Sequence, residues 1–144
     1  MKNIAVGIDH SDVTPRVLET AKELALATRA TLHLVHIFAP EPAVVGYGAY
    51  AYPGVDEREE ELKQEKLLLR NVVDDLKTAG VEASGFMKEA PIVKGLLEFA
   101  DERGADLIVV GTHGHNILET VILGSVAEGV VRKSRLPVLV VPAG

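Results

Sequence analysis

The sequence predicts a doubly wound α/β domain, with a five-stranded parallel sheet and about four helices on its two faces. Short continuous apolar runs point to it, because strands covered on both faces of a parallel sheet have no solvent side to make polar. The helical periodicity between one run and the next points the same way, since parallel neighbours need a crossover. The third observation is a length of 144 residues with no internal repeat or linker, which suits a single domain over 1–144.

NIAVGID (3–9) is the first run and ends on Asp9. In SDVTPRVLETAKELALATRA, Ser11 and Asp12 stand as caps and Pro15 sits early. Leu18, Ala21 and Ala25, with Val17 and Leu24, then repeat at helical spacing. TLHLVHIF (31–38) reads as the second strand, with His33 and His36 as hydrogen-bonded core residues. From Ala39 to about Val55 the chain holds three prolines, three glycines and all three tyrosines, so a long loop is expected. Tyr47, Tyr50 and Tyr52 read equally as a lid, a subunit contact or a merely tolerated loop.

The next helix shows an apolar face of Leu62, Leu69, Val72, Val73 and Leu76, with Gly80 as its C-terminal cap and DEREEELKQEK as a solvated face. VEASGFMKE is a weaker strand near a sheet edge. PIVKGLLEFADERG (91–104) is a helix between Pro91 and Gly104, and DLIVVG (106–111) is the clearest buried strand. SVAEGVVRKS is a short helix with cations in its last turn, and PVLVV (137–141) is the last strand.

Composition narrows the function. A net charge of −6 argues against a nucleic-acid partner, which needs a basic face. With no cysteine, disulfides and thiolate metal sites are excluded. No apolar run approaches the roughly 20 residues that span a bilayer, and charges follow the first residues too soon for a signal peptide, so a cytoplasmic protein without membrane contact is expected.

In open α/β sheets ligands bind beyond the carboxyl ends of the strands, where strand order reverses. If the first and fourth strands are neighbours there, Asp9 and Gly111 share one crevice. The stretch GTHGHNILETVILGS then gains a purpose. Gly111 and Gly114 permit positive φ and close approach to a ligand. Gly124 and Ser125 open a helix whose unpaired amides and dipole favour an anion, with no lysine required. A plain glycine loop between strand and helix is the competing reading.

VVGTHGHNILETVILGSVAEGVV, preceded by NIAVGIDHSD and followed by PVLVV, resembles the universal stress protein family along nearly the whole chain. The spacing G-x2-G-x9-G-[S/T] is that of the branch that binds ATP or related adenine nucleotides. The resemblance implies a Rossmann-like fold of the adenine nucleotide alpha hydrolase type and a cytoplasmic stress-response regulator acting as a homodimer. By position it implies Gly111, Gly114, Gly124 and Ser125 at phosphate and ribose, with backbone contacts from Val126 and Ala127. Asp9 falls near ribose and adenine, flanked by Gly7 and Ile8, and the Ile37 backbone recognises adenine. Val110, His113 and His115 complete the set. The last strand, Val138–Val141, pairs with its twin in the dimer.

Between the second and third glycines only His115 offers a basic group, so ADP and AMP compete with ATP. Glu89 stands where many relatives have glycine, and its charge would repel phosphate if it faced the pocket. Mg²⁺ is expected only as a companion of the phosphates, because two histidines two residues apart make a weak metal site. The motif lacks the cationic clamps of fast phosphoryl transfer. A slow Mg²⁺-dependent ATP hydrolase or phosphotransferase using Asp9 and Ser125 stays as one alternative, and an interaction module without nucleotide as another. A regulatory protein partner is expected but not identified.

Overall fold

Nine elements follow one another in strict alternation in the computed structural model, which describes residues 1–9, 13–40, 54–112 and 123–142, with backbone alone at 54–56. They are β1 (Asn3–Gly7), α1 (Thr14–Thr28), β2 (Thr31–Phe38), α2 (Gly54–Thr78), β3 (Ala83–Glu89), α3 (Ile92–Glu102), β4 (Leu107–Gly111), α4 (Ser125–Lys133) and β5 (Val138–Val141). The five strands form one sheet in the order β3-β2-β1-β4-β5, and every pairing is parallel. The chain winds outward from β1 to β3, returns beside β1, and winds outward again to β5. Strand order therefore reverses between β1 and β4, as the doubly wound pattern requires.

Residues along each strand alternate between two apolar layers. Ile4, Val6, Leu32, Leu34, Leu107 and Val109 pack with α1 and α2, chiefly with Val17, Ala21, Leu69 and Val73. Ala5, Val35, Ile37, Ile108 and Val110 pack with α3 and α4 on the opposite face, against Leu96, Phe99, Ala127 and Val130. Double coverage explains why β1, β2 and β4 read as continuous apolar runs. The edge strand β3 is less buried, which accounts for its mixed sequence, ending in Lys88 and Glu89. Among the described residues no helix is long and apolar enough to cross a membrane.

Three helices end by one device. After α2, Gly80 has φ +89° and the Val81 amide donates to the Leu76 carbonyl; after α3, Gly104 has φ +61° and Ala105 donates to Ala100. Each following residue is buried and leads the chain back toward the sheet. α1 ends the same way, with Ala30 donating to Ala25, but an arginine occupies the left-handed position, Arg29 at φ 60°. At the other end of α1 the position before Thr14 is Val13, with no side-chain cap bond. Ser11 and Asp12, expected as caps, lie outside the described residues.

A side chain with a Cβ is strained in the left-handed region by about 1–2 kcal/mol. Arg29→Gly is therefore expected to stabilise the protein by about 0.5–1 kcal/mol after the extra chain entropy of glycine is deducted. Urea denaturation with an unchanged m-value would measure it.

Candidate functional site

The crevice forms because β1 and β4 are neighbours whose following helices leave on opposite faces. β1 ends at Gly7; the Ile8 amide still donates to Val35 at 2.9 Å, and Asp9 then stands exposed beyond the sheet. One of its oxygens, Oδ1, accepts a hydrogen bond from the Thr14 hydroxyl at 3.1 Å, which anchors it to the start of α1. β4 ends at Gly111. Thr112 continues the line by donating to the Val141 carbonyl at 2.9 Å. The Gly124 amide returns to the Thr112 carbonyl at 2.6 Å, so α4 begins directly over the end of β4.

That helix start is open to an anion. Gly124 occupies the cap position and has no side chain to cap with, and the first turn-closing bond runs from Glu128 to Gly124 at 2.9 Å. The amides of Ser125, Val126 and Ala127 thus have no carbonyl ahead of them in the helix. Ala127 is buried and Val126 half-buried against the layer that holds Val110, so packing fixes the direction of the helix axis. Glu128, an acid in the first turn, is ion-paired with Arg132 one turn on. Among the described residues, three orphan amides and the positive end of the dipole remain to attract negative charge.

Gly111 is a correction to the sequence reading. It does not adopt positive φ, and a Cβ there would meet Val13 Cγ1 at 2.6 Å and Val17 Cγ2 at 3.4 Å. Glycine is required at 111 because Val13, only 1% exposed, presses onto the backbone. The close approach is made by the protein itself. Gly124 needs no special conformation either, at φ −70° and ψ 165°. Gly7 is similarly crowded, with Leu96 at 3.3 Å and Val110 at 3.4 Å from a built Cβ.

On the other side of β1, strand alternation orients Ile37. Val35 accepts from Ile8 on the β1 side, and Phe38 accepts from Ala90 on the β3 side. The Ile37 N–H and C=O, two residues on from Val35, therefore point toward β1 beyond the place where β1 stops. Asp9, Gly111, Gly124, Ser125 and the Ile37 main chain thus gather at one end of the sheet. His113, Gly114 and His115 lie outside the described residues, as do the three tyrosines. Glu89 is exposed at the end of β3, in register with Phe38 and separated from β1 by β2. Among the described residues no three His, Asp or Glu side chains are grouped to hold a metal.

The sequence reading missed one support, Thr14, and for another, His36, it foresaw a hydrogen-bonded core residue without its partners. Thr14, the partner of Asp9, looks like an ordinary first residue of a helix. His36 is only 7% exposed as expected, yet its Nδ1 lies 2.9 Å from the Ile8 carbonyl oxygen and its Nε2 2.8 Å from Glu65 Oε2. His33 differs. It is half-buried, its Nε2 meets Asn3 Oδ1 at 2.9 Å, and its Nδ1 is sealed from solvent without a partner among the described residues.

Fold and geometry together define a doubly wound α/β protein with an uncapped helix start at its topological reversal. Residues 1–142 match the model of the Universal stress protein family, and the chain belongs to that family. The Universal stress protein YxiE of Bacillus subtilis is 32% identical over 141 residues, which are 94% of this chain and 95% of that one. A universal stress protein solved in complex with cAMP aligns over 99% of this chain and 98% of its own, with 29% identity and a TM-score of 0.69. One from Archaeoglobus fulgidus in complex with dAMP covers 97% of each chain at 25% identity and the same TM-score, 0.69.

Two predictions follow from this packing. Gly111→Ala forces a methyl into Val13 and is expected to cost about 1–3 kcal/mol, while Val13→Ala in the same chain restores about 1 kcal/mol relative to additivity. A double-mutant cycle by thermal unfolding reads that coupling. His33 is held below its ordinary value of 6.5, first by burial and then by the Arg103 charge. The unfolded chain therefore binds the proton first, and stability is expected to fall as pH drops below about 6.5. His33→Gln should flatten that part of the stability–pH curve.

Proposed function

We propose that the protein is a cytoplasmic stress-response regulator, one domain over 1–144, that binds an adenine nucleotide in the β1/β4 crevice and acts as a homodimer. The observation that carries this reading is the uncapped start of α4, tied onto the end of β4 at the same end of the sheet where β1 leads into Asp9. The relatives in complex with cAMP and dAMP support it, since both match almost the full chain.

In this reading the amides of Ser125, Val126 and Ala127 hold phosphate, joined by the Ser125 hydroxyl and by Gly111, Gly114 and Gly124 along the loop. Asp9 accepts from ribose or adenine, with Gly7 and Ile8 beside it. The Ile37 main chain offers a donor and an acceptor to the base, and Val110 closes the floor. His113 and His115 supply neutral donors near the phosphate tail. ATP is the leading ligand, with ADP and AMP as competitors; Mg²⁺ arrives with the phosphates of the longer nucleotides. Occupancy shifts the population between two conformations read by a regulatory protein partner. The dimer forms through β5, an edge strand whose Val138, Leu139 and Val140 are all half-buried.

Because Gly124 adopts a conformation open to any residue, Gly124→Val tests the site without straining the backbone. The variant is expected to fold normally and to lose binding of AMP, cAMP and ATP by calorimetry. Wild type should gain about 2.7 kcal/mol of stability at nucleotide concentrations 100-fold above Kd. Equal binding by the valine variant would remove the site assignment, and a monomer at every concentration in sedimentation velocity would remove the dimer.

A further inference from the structure

The β1–β2 ladder ends in an irregular way. Continued parallel pairing would bring the Ile37 amide onto the Ile8 carbonyl after the bond from Ile8 to Val35. Among the described residues that carbonyl is met instead by a ring nitrogen, His36 Nδ1 at 2.9 Å. The opposite nitrogen is held by Glu65 of α2 at 2.8 Å, and the ring stacks near Phe38 with centroids 6.4 Å apart. One buried side chain therefore joins a helix to the last carbonyl before Asp9.

We infer that His36 is a positioning residue of the adenine subsite. Steered by Glu65, it takes the Ile8 carbonyl out of the ladder and leaves the Ile37 main chain facing the base. This rests on the nucleotide reading above and extends it to a group that never touches the ligand. Removing Glu65 frees the ring to turn, lets β1 and β2 pair one step further, and withdraws the Ile37 amide from the crevice.

The bridge also depends on a proton. Both ring nitrogens face acceptors, a carbonyl and a carboxylate, so both contacts need an N–H. Neutral imidazole has only one; imidazolium has two. At 7% exposure, water is poorly placed to replace a lost partner. Among the described residues, few charged groups surround the ring. α2 contributes Glu65, and Arg58 lies over Phe38 at 5.6 Å. Beyond Ile8 stands Asp9, tied to Thr14 of α1. On β3 the register partner is Met87, while Lys88 turns to Glu98 and Glu102 of α3 on the other face.

Calorimetry with cAMP on the full chain tests the role of His36. Glu65 is partly exposed on its helix, so Glu65→Ala keeps the fold, which thermal unfolding checks. Glu65→Ala is expected to bind cAMP about fivefold more weakly than wild type, whereas Glu65→Gln, whose amide can both donate to the ring and accept from it, recovers most of the affinity. A His33→Gln background should leave these affinities unchanged. Glu65→Ala matching wild type in affinity would overturn the inference alone. No cAMP binding by any of these proteins would remove the nucleotide reading and the inference with it.

Discussion

The pairing of β1 with β4 is the constraint on which the rest of the molecule depends. These strands are far apart in sequence, and their registers, Ile4 with Leu107, Ala5 with Ile108 and Val6 with Val109, leave little freedom. Slipping by one residue would exchange the two apolar layers, turning Ile4 and Val6 toward α3 and Ala5 toward α1. The opposite end of the pair is pinned as well. Asp106 accepts from the amides of Lys2 at 2.7 Å and Asn3 at 3.0 Å, and those bonds hold its carboxyl below the ordinary range. With β1 and β4 locked side by side and α1 and α4 departing on opposite faces, the crevice is a consequence of topology.

That topology also resolves an apparent conflict of charge. A chain with a net charge of −6 is an unpromising host for a phosphate, and no lysine or arginine occurs between residues 111 and 125. The attraction comes from oriented peptide groups instead. Three amides at the start of α4 are aligned by burying Ala127 and Val130. The adjacent Glu128 is neutralised in place by Arg132. Fixed dipoles act over a short distance, so in the proposed reading the site attracts an anion locally while the surface as a whole remains acidic.

The fold was legible because burial leaves a direct mark on composition. Strands covered on both faces must be apolar throughout, and the glycines at 80 and 104 mark helix ends that only a left-handed residue can make. Arg29 performs the same task without that mark, so the end of α1 gives no such signal. The outline of the site was legible too, since Asp9 and Gly111 terminate apolar runs. The reason for Gly111 was not, because it depends on Val13, nearly a hundred residues earlier, pressing against it. Thr14 escaped notice, and His36 was read as a hydrogen-bonded core residue without its partners, for a related reason. Their importance lies in which atom they touch, and neither a threonine at a helix start nor a histidine in a strand reveals its partner.

His33 and His36 show how far identical residues on one strand can diverge. They stand three positions apart and so face opposite sides of the sheet. His33 looks toward α3, where Arg103 lies over Phe86 at 3.9 Å, and its remaining nitrogen meets no acceptor among the described residues. A second proton there would be buried beside a cation with no acceptor, so the neutral ring belongs to the fold. His36 looks toward α2 and lies between two oxygen acceptors, the Ile8 carbonyl and the Glu65 carboxylate. What decides between them is the number of oxygens within reach and the sign of the nearest charge, and burial alone would have assigned both to the same class. His33 therefore loosens the fold on acidification, whereas His36 ties α2 to the last carbonyl of β1.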